Sequence, residues 1–438
     1  MSEIPQGALN RGAKLAGLPI SAAGRVTLGL GQRLMGKTKD EVSADVQRRT
    51  AEQIFEVLGT LKGGAMKFGQ ALSVFEAAMP DDAVAPYRKA LTKLQDSAPP
   101  MEPTVVRRLM VEQLGSGWPK YFREFDEAAA AAASIGQVHH GIWRDGREVA
   151  VKLQYPGAAQ ALTADLNQLS RFGRLMGPLL PGLQFKPLLA ELRDRVLEEV
   201  DYAAEAQNQR MFAAAYDGDP EIAIGKVVAS APALIISEWV DGVPLSKIIA
   251  DGTRAQRDEI GRMMAEFHFS APERARLLHT DPHPGNFIVR SDGRLGVVDF
   301  GSVSRMPGGA PSIVGRLARL SLQGRSAEVI TGLREEGFIP DNFDPDPTVL
   351  LNYLVPYLEP LRHDIFHFTR EWMQQLWARM TDFSTPELKL ARRLNLPPSY
   401  LMIQRVTLGS IGVLSQLDAR APFRAIVEQW QPGFGTGS

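Results

Sequence analysis

The 438-residue chain lacks cysteine altogether, which excludes disulfide bonds and thiol-based catalysis. Apolar residues never continue for the ~18 positions that a membrane-spanning helix needs, so the sequence predicts no such helix. An excess of charge is also missing: 49 Lys and Arg face 50 Asp and Glu, and the formal net charge is −1. This balance gives no reason to expect nucleic acid as a partner. No secretory signal is visible, so we expect a cytoplasmic protein.

The first 39 residues carry a local imbalance of charge. They hold six Lys and Arg against one acidic residue, together with seven glycines. We interpret residues 1–39 as a flexible basic arm. The alternative is an anchor at a membrane surface, because several leucines accompany the positive charge, and any membrane contact would then be peripheral.

Two short strings in the second half of the chain carry most of the functional information. The first is His-Thr-Asp-Pro-His-Pro-Gly-Asn at 279–286, and the second is Asp-Phe-Gly at 299–301. An Asp, four residues, an Asn and then an Asp-Phe-Gly form the core of the phosphoryl-transfer motif of protein kinases. In that pattern Asp281 accepts the proton of an attacking hydroxyl, while Asn286 and Asp299 hold Mg²⁺ against the phosphates.

The residues between the two strings predict the scaffold that this motif needs. Phe-Ile-Val at 287–289 and Leu-Gly-Val-Val at 295–298 are typical of short strands, and Ser-Asp-Gly-Arg at 291–294 is typical of a tight turn. Together they predict a β-hairpin that ends at Asp299.

A lysine on an upstream strand would complete the phosphate site. Val-Ala-Val-Lys-Leu at 149–153 has the alternating, β-branched pattern of a strand, and Lys152 would neutralise the phosphates. A buried lysine needs a carboxylate partner, which we expect from the acidic helix 191–212. That helix offers Glu198, Glu199, Asp201 and Glu205, of which we favour Glu205 as the partner of Lys152.

The adenine side of the site is predicted from two further segments. Residues 233–240 predict a buried strand that runs into a connector, where backbone groups of Glu238 and Val240 would meet the adenine edge. The place of a kinase Gly-rich loop is taken by a run of alanines at 128–133. We expect Ala132, Ala133 and Ser134 to contact the nucleotide there, although an Ala-rich helix is the other interpretation.

Two landmarks of protein kinases are absent. Thr280 stands where the kinase motif has Arg, and no Ala-Pro-Glu follows Asp299. An activation segment controlled by a phosphate that pairs with that Arg is therefore not expected.

A string in the N-terminal part of the chain is also informative, when taken together with these departures from the protein-kinase pattern. Lys-Phe-Gly-Gln at 67–70 lies in a predicted helical run, where Lys67 and Gln70 share a face. An ordered set of strings in this chain resembles the UbiB/AarF family of atypical kinases. The set comprises this string, the alanine run with Ser-Ile-Gly-Gln-Val-His, Val-Ala-Val-Lys, Glu-Val-Asp at 199–201, and the two later strings. The resemblance covers about residues 45–420 and is closest to bacterial members without transmembrane segments.

The resemblance implies roles that the residues alone do not give. Lys67 and Gln70 would fold over the active site and meet the gating carboxylates Glu199 and Asp201. It also implies ATP (or ADP) and Mg²⁺ as cofactors, with Asp281 as the catalytic-loop acid.

The resemblance also frames two functions of different classes. The first is ATP hydrolysis or phosphoryl transfer to a small or lipid-like acceptor, in quinone or isoprenoid lipid metabolism. The second is a nucleotide-binding pseudokinase that acts as a scaffold or chaperone for a lipid pathway. An ordinary protein kinase fits less well, because of the alanine run and the missing landmarks.

These placements predict an α+β, protein-kinase-like fold of two lobes with a helical N-terminal extension over the active site. The predicted divisions are the arm 1–39, a helical extension 40–125, a small lobe 126–240 with a helical insert, and a mostly helical large lobe 241–438.

A competing phosphate-binding motif lies near the N-terminus. Residues 31–38, Gly-Gln-Arg-Leu-Met-Gly-Lys-Thr, fit the P-loop pattern. A P-loop also needs a parallel sheet around it, whereas the following residues predict mainly helix. We therefore favour the lysine at 152 over the one at 37.

Separate changes of Lys37→Ala and Lys152→Ala distinguish the two phosphate sites. We expect loss of nucleotide binding with Lys152→Ala, because its ammonium neutralises the phosphates, and near-normal binding with Lys37→Ala. Titration with a fluorescent ATP analogue measures both. Loss with Lys37→Ala alone would reverse the assignment.

Overall fold

The computed structural model describes residues 100–133, 135–158, 200–382 and 384–435. The helices in these ranges are α1 Pro103–Leu114, α2 Tyr202–Ala215, α3 Leu245–Asp251, α4 Arg254–Arg274, α5 Ser312–Leu322, α6 Ser326–Glu335, α7 Pro347–Leu354, α8 Arg370–Thr381, α9 Pro386–Ala391, α10 Pro398–Leu417 and α11 Phe423–Trp430. The strands are β1 Phe122–Phe125, β2 Ala131–Ala133, β3 Gly136–Trp143, β4 Glu148–Gln154, β5 Ile222–Ile224, β6 Val227–Ala231, β7 Leu234–Glu238, β8 Val243–Pro244, β9 Leu277–His279, β10 Phe287–Val289, β11 Leu295–Val297, β12 Val303–Arg305, β13 Phe366–His367 and β14 Arg420–Ala421.

The small lobe is built on an antiparallel sheet with the strand order β1-β3-β4-β7-β6, and β2 pairs with the start of β3. Alternation along β4 explains how the sheet is covered. Val149, Val151 and Leu153 are fully buried and pack against α1 on one face. The residues between them face the other side, so the period of two places Lys152 there.

The alanine run forms part of this sheet. Ala131, Ala132 and Ala133 make strand β2, which pairs antiparallel with Gly136–Val138 of β3. The Ala-rich helix that the composition also allowed is therefore wrong for these residues, because the sheet edge overrides the helix propensity of alanine. The sheet also begins at Phe122, four residues before the predicted lobe boundary at 126.

The large lobe is organised around the long helix α4. Its N-terminus carries a capping box, in which the Thr253 side chain accepts from the Gln256 backbone and Gln256 reaches back to the Thr253 backbone. Buried residues at helical spacing along α4 include Ile260, Met264 and Phe267. They belong to one core cluster with residues of α10 and α11.

The predicted hairpin before Asp299 is confirmed. Strands β10 and β11 pair antiparallel, with Phe287 opposite Val297 and Val289 opposite Leu295. Gly293 adopts a φ of 87° in the turn between them, a conformation that glycine accepts without a steric penalty. Strand β11 also pairs in parallel with β5, which follows α2 in the chain.

These elements confirm the predicted α+β, kinase-like architecture. Among the described residues, no helix combines the length and apolar character that crossing a membrane requires.

Helix α10 offers a matched pair of leucines for testing the large-lobe core. Leu414 is fully buried, whereas Leu401 on the same helix is exposed at 36%. We expect Leu414→Ala to lower the free energy of unfolding by about 2–5 kcal/mol, because it leaves a cavity in close-packed surroundings. Leu401→Ala should change it by less than about 0.5 kcal/mol. Urea denaturation compares the two, and equal losses would contradict the assigned core.

Candidate active site

Three charged side chains from separate elements meet at one point. The Lys152 Nζ lies 2.6 Å from Glu205 Oε1 and 3.2 Å from Asp299 Oδ2. Lys152 is on β4, Glu205 is on α2, and Asp299 follows β11. The structure thus brings together residues that are 53 and 147 positions from Lys152 in the sequence.

Local structure fixes the direction of Glu205. Helix α2 begins at Tyr202 after Asp201, whose carboxylate accepts a hydrogen bond from the Ala204 backbone N–H. An acidic N-cap of this kind stabilises the first turn of a helix. Glu205 then lies in that first turn, on the face that packs towards the sheet. The structure therefore uses Asp201, predicted as a gating carboxylate, as the helix cap.

The electrostatics of the cluster follow from burial and charge. Burial lowers the pKa of Lys152, but the carboxylates of Asp299 and Glu205 more than offset it and hold the pKa well above its ordinary value. Burial raises the pKa of Glu205, which is only 4% exposed, and the Lys152 ammonium offsets part of that rise. One ammonium therefore serves two carboxylates, and removing it would leave two acids facing each other.

The catalytic-loop string is buried and internally bonded. Asp281 and Asn286 are 7% and 6% exposed. The Asn286 Nδ2 donates to the Asp281 carbonyl at 3.0 Å. The Val298 N–H donates to the Asn286 carbonyl, so the backbone of Asn286 is bonded to the residue that precedes Asp299. The two strings that the sequence separates by a hairpin are adjacent in space.

His279 is a positioning residue that the sequence analysis did not single out. Its Nε2 donates to the backbone carbonyl of Asp299 at 2.6 Å, and its side chain is fully buried. The Asp299 carboxylate is held from its other side by the Gly301 N–H, which donates to Oδ1 at 2.9 Å. The position of His279, two residues before Asp281, was the available signal.

Thr280 replaces the kinase arginine with a neutral contact. Its Oγ1 lies 2.7 Å from the Ser302 Oγ, and its N–H donates to the Ser302 carbonyl at 3.0 Å. Strand β9 also pairs with β12, so the segment after Asp-Phe-Gly is tied to the catalytic loop by backbone bonds. Within the described residues, this attachment is made without a charged group.

The donor set is suited to ATP and Mg²⁺. Mg²⁺ favours oxygen ligands and is usually held by one or two carboxylates together with substrate phosphates. Asp299 supplies a carboxylate, and the amide of Asn286 directs its nitrogen to Asp281, which makes Oδ1 its atom for a cation. Lys152 would supply the positive charge for phosphates.

The two residues predicted to meet the adenine edge, Glu238 and Val240, differ in whether their backbone N–H is already used. The Glu238 N–H donates to the Lys226 carbonyl, and its side chain bonds Arg147 at 3.0 Å. The backbone donor of Glu238 is therefore used within the small lobe, which leaves Val240 as the candidate donor to an adenine edge. Ala132 and Ala133 lie on the β2–β3 hairpin, as already described.

Several predicted residues lie outside the described ranges. They are Lys67, Gln70, Ser134, Glu199 and the P-loop-like string 31–38. Their proposed roles stay predictions.

The shared lysine predicts a pH-dependent loss of stability. In Lys152→Met, the buried Glu205 faces Asp299 without a cation, so its folded-state pKa rises further above the unfolded value. A carboxyl group of this kind is stabilising while protonated, and stability is lost as the pH rises above the unfolded pKa. We expect a loss of about 2–3 kcal/mol at pH 7 and a smaller loss at pH 5.

Chemical denaturation at the two pH values measures this difference. Lys226→Met is the matched control, because Lys226 pairs with Asp217 on the surface and its side chain is 54% exposed. Such exposed pairs contribute about 0–1 kcal/mol. An equal loss for Lys152→Met at pH 5 and pH 7 would contradict the assigned charge cluster.

Comparison with known proteins agrees with this geometry. Residues 93–316 match the family model of the ABC1 atypical kinase-like domain. The mitochondrial atypical kinase COQ8B of Danio rerio is 30% identical over 313 residues, which are 70% of this chain and 50% of that protein. The mitochondrial atypical kinase COQ8 of Schizosaccharomyces pombe is 30% identical over 275 residues, 62% of this chain and 44% of that protein. The chain thus spans about half the length of these curated relatives.

A solved structure covers more of the chain. Rv3197 of Mycobacterium tuberculosis, determined in complex with erythromycin, is 44% identical and superimposes with a TM-score of 0.70. The match covers 91% of this chain and 99% of that one. The family model, the relatives and the kinase-like site agree, and the chain belongs to the ABC1 family of atypical kinases, the UbiB/COQ8 group.

Proposed function

We propose that the chain binds Mg²⁺-ATP at the Lys152 cluster and either hydrolyses it or transfers its terminal phosphoryl group to a small or lipid-like acceptor. The observation that supports this most directly is the meeting of Lys152, Glu205 and Asp299 beside the loop that carries Asp281 and Asn286. Phosphoryl transfer depends mainly on positioning and on stabilising developing charge, and this set of residues can do both.

Each residue has a distinct role in this proposal. Glu205 holds the Lys152 ammonium in place, and Lys152 neutralises the phosphates. Asp299 and Asn286 are the ligands for Mg²⁺, which supplies Lewis-acid stabilisation of the transferred group. Asp281 accepts the proton of the attacking hydroxyl or water. The hydrogen bonds from His279 and Gly301 keep Asp299 in its orientation.

The relatives suggest the kind of acceptor. Rv3197 was solved in complex with a small molecule, erythromycin. The COQ8 relatives belong to the same family, and the resemblance to that family implies quinone or isoprenoid lipid metabolism. We therefore favour a lipophilic small molecule as the acceptor, reached at a membrane surface with the help of the basic arm 1–39.

A second candidate is a nucleotide-binding scaffold for a lipid pathway. It is favoured by the direct bond between Lys152 and Asp299, which occupies both groups that catalysis would need to direct at a bound nucleotide and its metal. The alanine hairpin, formed by β2 and the start of β3 at 131–138, also places methyl groups where kinases have glycine.

Removal of the catalytic-loop carboxylate separates these two functions. We expect Asp281→Asn to retain ATP binding and to lower phosphate release by about 10²–10⁴-fold, since the general base is lost. Phosphate release is measured on the full chain with and without detergent and an isoprenoid-like phenol. Asp292→Asn is the control, because Asp292 lies in the exposed turn of the same hairpin and pairs with Arg290 and Arg294.

The outcome discriminates clearly between the candidates. If nucleotide binds and Asp281→Asn releases phosphate as fast as the unmodified protein, the enzymatic proposal is wrong and the scaffold remains.

A further inference from the structure

The hydroxyl of Tyr202 is a buried donor without a partner. Tyr202 is fully buried, and its hydroxyl makes no hydrogen bond to any described residue. Other buried tyrosines of this chain behave differently: the Tyr216 hydroxyl lies 2.7 Å from Ser270 Oγ, and the Tyr400 hydroxyl donates to Glu336 at 2.6 Å. An unsatisfied buried hydroxyl costs about 1–3 kcal/mol, so this exception requires an explanation.

The position of Tyr202 connects it to the charged cluster. It is the first residue of α2 and lies three positions before Glu205, so the two side chains share one face of the helix. The Lys152 Nζ lies 5.2 Å from the centre of its ring. Burial raises the pKa of Tyr202, which keeps the phenol protonated and therefore a donor.

The Tyr202 hydroxyl lies against the backbone of the alanine hairpin at Gly136. Gly136, at the end of that hairpin, would place an added Cβ 2.9 Å from the Tyr202 hydroxyl and 2.1 Å from the Leu153 carbonyl. A side chain at 136 would therefore clash, and glycine allows the hairpin to close directly over the phenol. A displacement of the hairpin would uncover the hydroxyl beside Lys152.

The groups around the Tyr202 hydroxyl indicate what kind of acceptor would satisfy it. An O–H donor requires an acceptor, and the charged group beside it is an ammonium that already faces two carboxylates. An anion that draws Lys152 away from Asp299 would approach the same ring. A phosphate oxygen is such an acceptor, and hydrogen bonds to charged groups are stronger than neutral ones.

We propose that Tyr202 is a phosphate-binding residue whose hydroxyl donates to a phosphate oxygen neutralised by Lys152 once the alanine hairpin opens over the nucleotide. This inference rests on the proposed function, and it adds a contact that none of the recognised motifs contains.

Tyr202→Phe isolates the hydroxyl, because the ring and its packing against Lys152 remain. Calorimetric titration of the full chain with Mg²⁺-ATP should show affinity weakened about tenfold, the loss of one hydrogen bond to a charged group. Affinity for adenosine, which has no phosphates, should not change. The melting temperature should stay the same or rise, because an unsatisfied donor has been removed.

Tyr216→Phe is the matched control. Tyr216 lies at the opposite, C-terminal end of the same helix, and its hydroxyl already has a partner in Ser270. Its removal should therefore lower the melting temperature and leave the affinity for ATP unchanged.

Three other results would overturn the inference. ATP affinity equal to that of the unmodified protein would show that the hydroxyl does not contact phosphate. A parallel loss of ATP and adenosine binding with a lower melting temperature would show a purely structural role. Failure of the unmodified protein to bind ATP would instead refute the proposed function itself, and the inference with it.

Discussion

The arrangement of the small lobe and the catalytic loop depends on one partly buried ammonium. Lys152 bonds Glu205 from α2 and Asp299 from the end of β11, and it is only 17% exposed. A buried charge is tolerated only when it is paired, so this lysine requires both elements to stay close. The position of α2 against the sheet and the position of the Asp-Phe-Gly segment are thereby set by the same interaction.

Neutral hydrogen bonds do the rest of the positioning. Thr280 and Ser302 bond through both side chains and backbone, and His279 donates to the Asp299 carbonyl. In protein kinases a charged arginine at the position of Thr280 lets a phosphate order the following segment. Here the corresponding contacts are made by uncharged groups in the described structure, so this loop needs no added charge to take up its conformation.

The sequence predicted those parts of the molecule that local patterns encode. Alternating β-branched residues located β4 and its lysine, and the turn at 291–294 located the hairpin before Asp299. Glu205 was favoured as the partner of Lys152 from four acids, and the structure pairs the two. Helical spacing alone does not select it, because Glu198, Asp201 and Glu205 recur three and four positions apart. The same reasoning could not locate β2, since alanine favours helices and only the edge of β3 makes it a strand.

Other contacts between distant segments could not be predicted from the sequence alone. The bond from His279 to the Asp299 backbone involves a carbonyl, and a carbonyl leaves no mark in the residue pattern. The unsatisfied hydroxyl of Tyr202 is likewise invisible, because a tyrosine at the start of an apolar helix face resembles ordinary core. The start of the sheet at Phe122 depends on pairing with β3, which is set by the fold as a whole.

Helix α2 is anchored at several points along its length. Beyond Glu205, the Asn208 amide donates to the Phe300 carbonyl, and the strand that follows the helix pairs in parallel with β11. Many kinases are switched off when the equivalent helix swings outward and withdraws its glutamate. In this protein such a swing would have to break the hydrogen bond from the Asn208 side chain and to disrupt the β5–β11 pairing at the same time. An outward swing of α2 would therefore cost these contacts in addition to the Lys152–Glu205 ion pair.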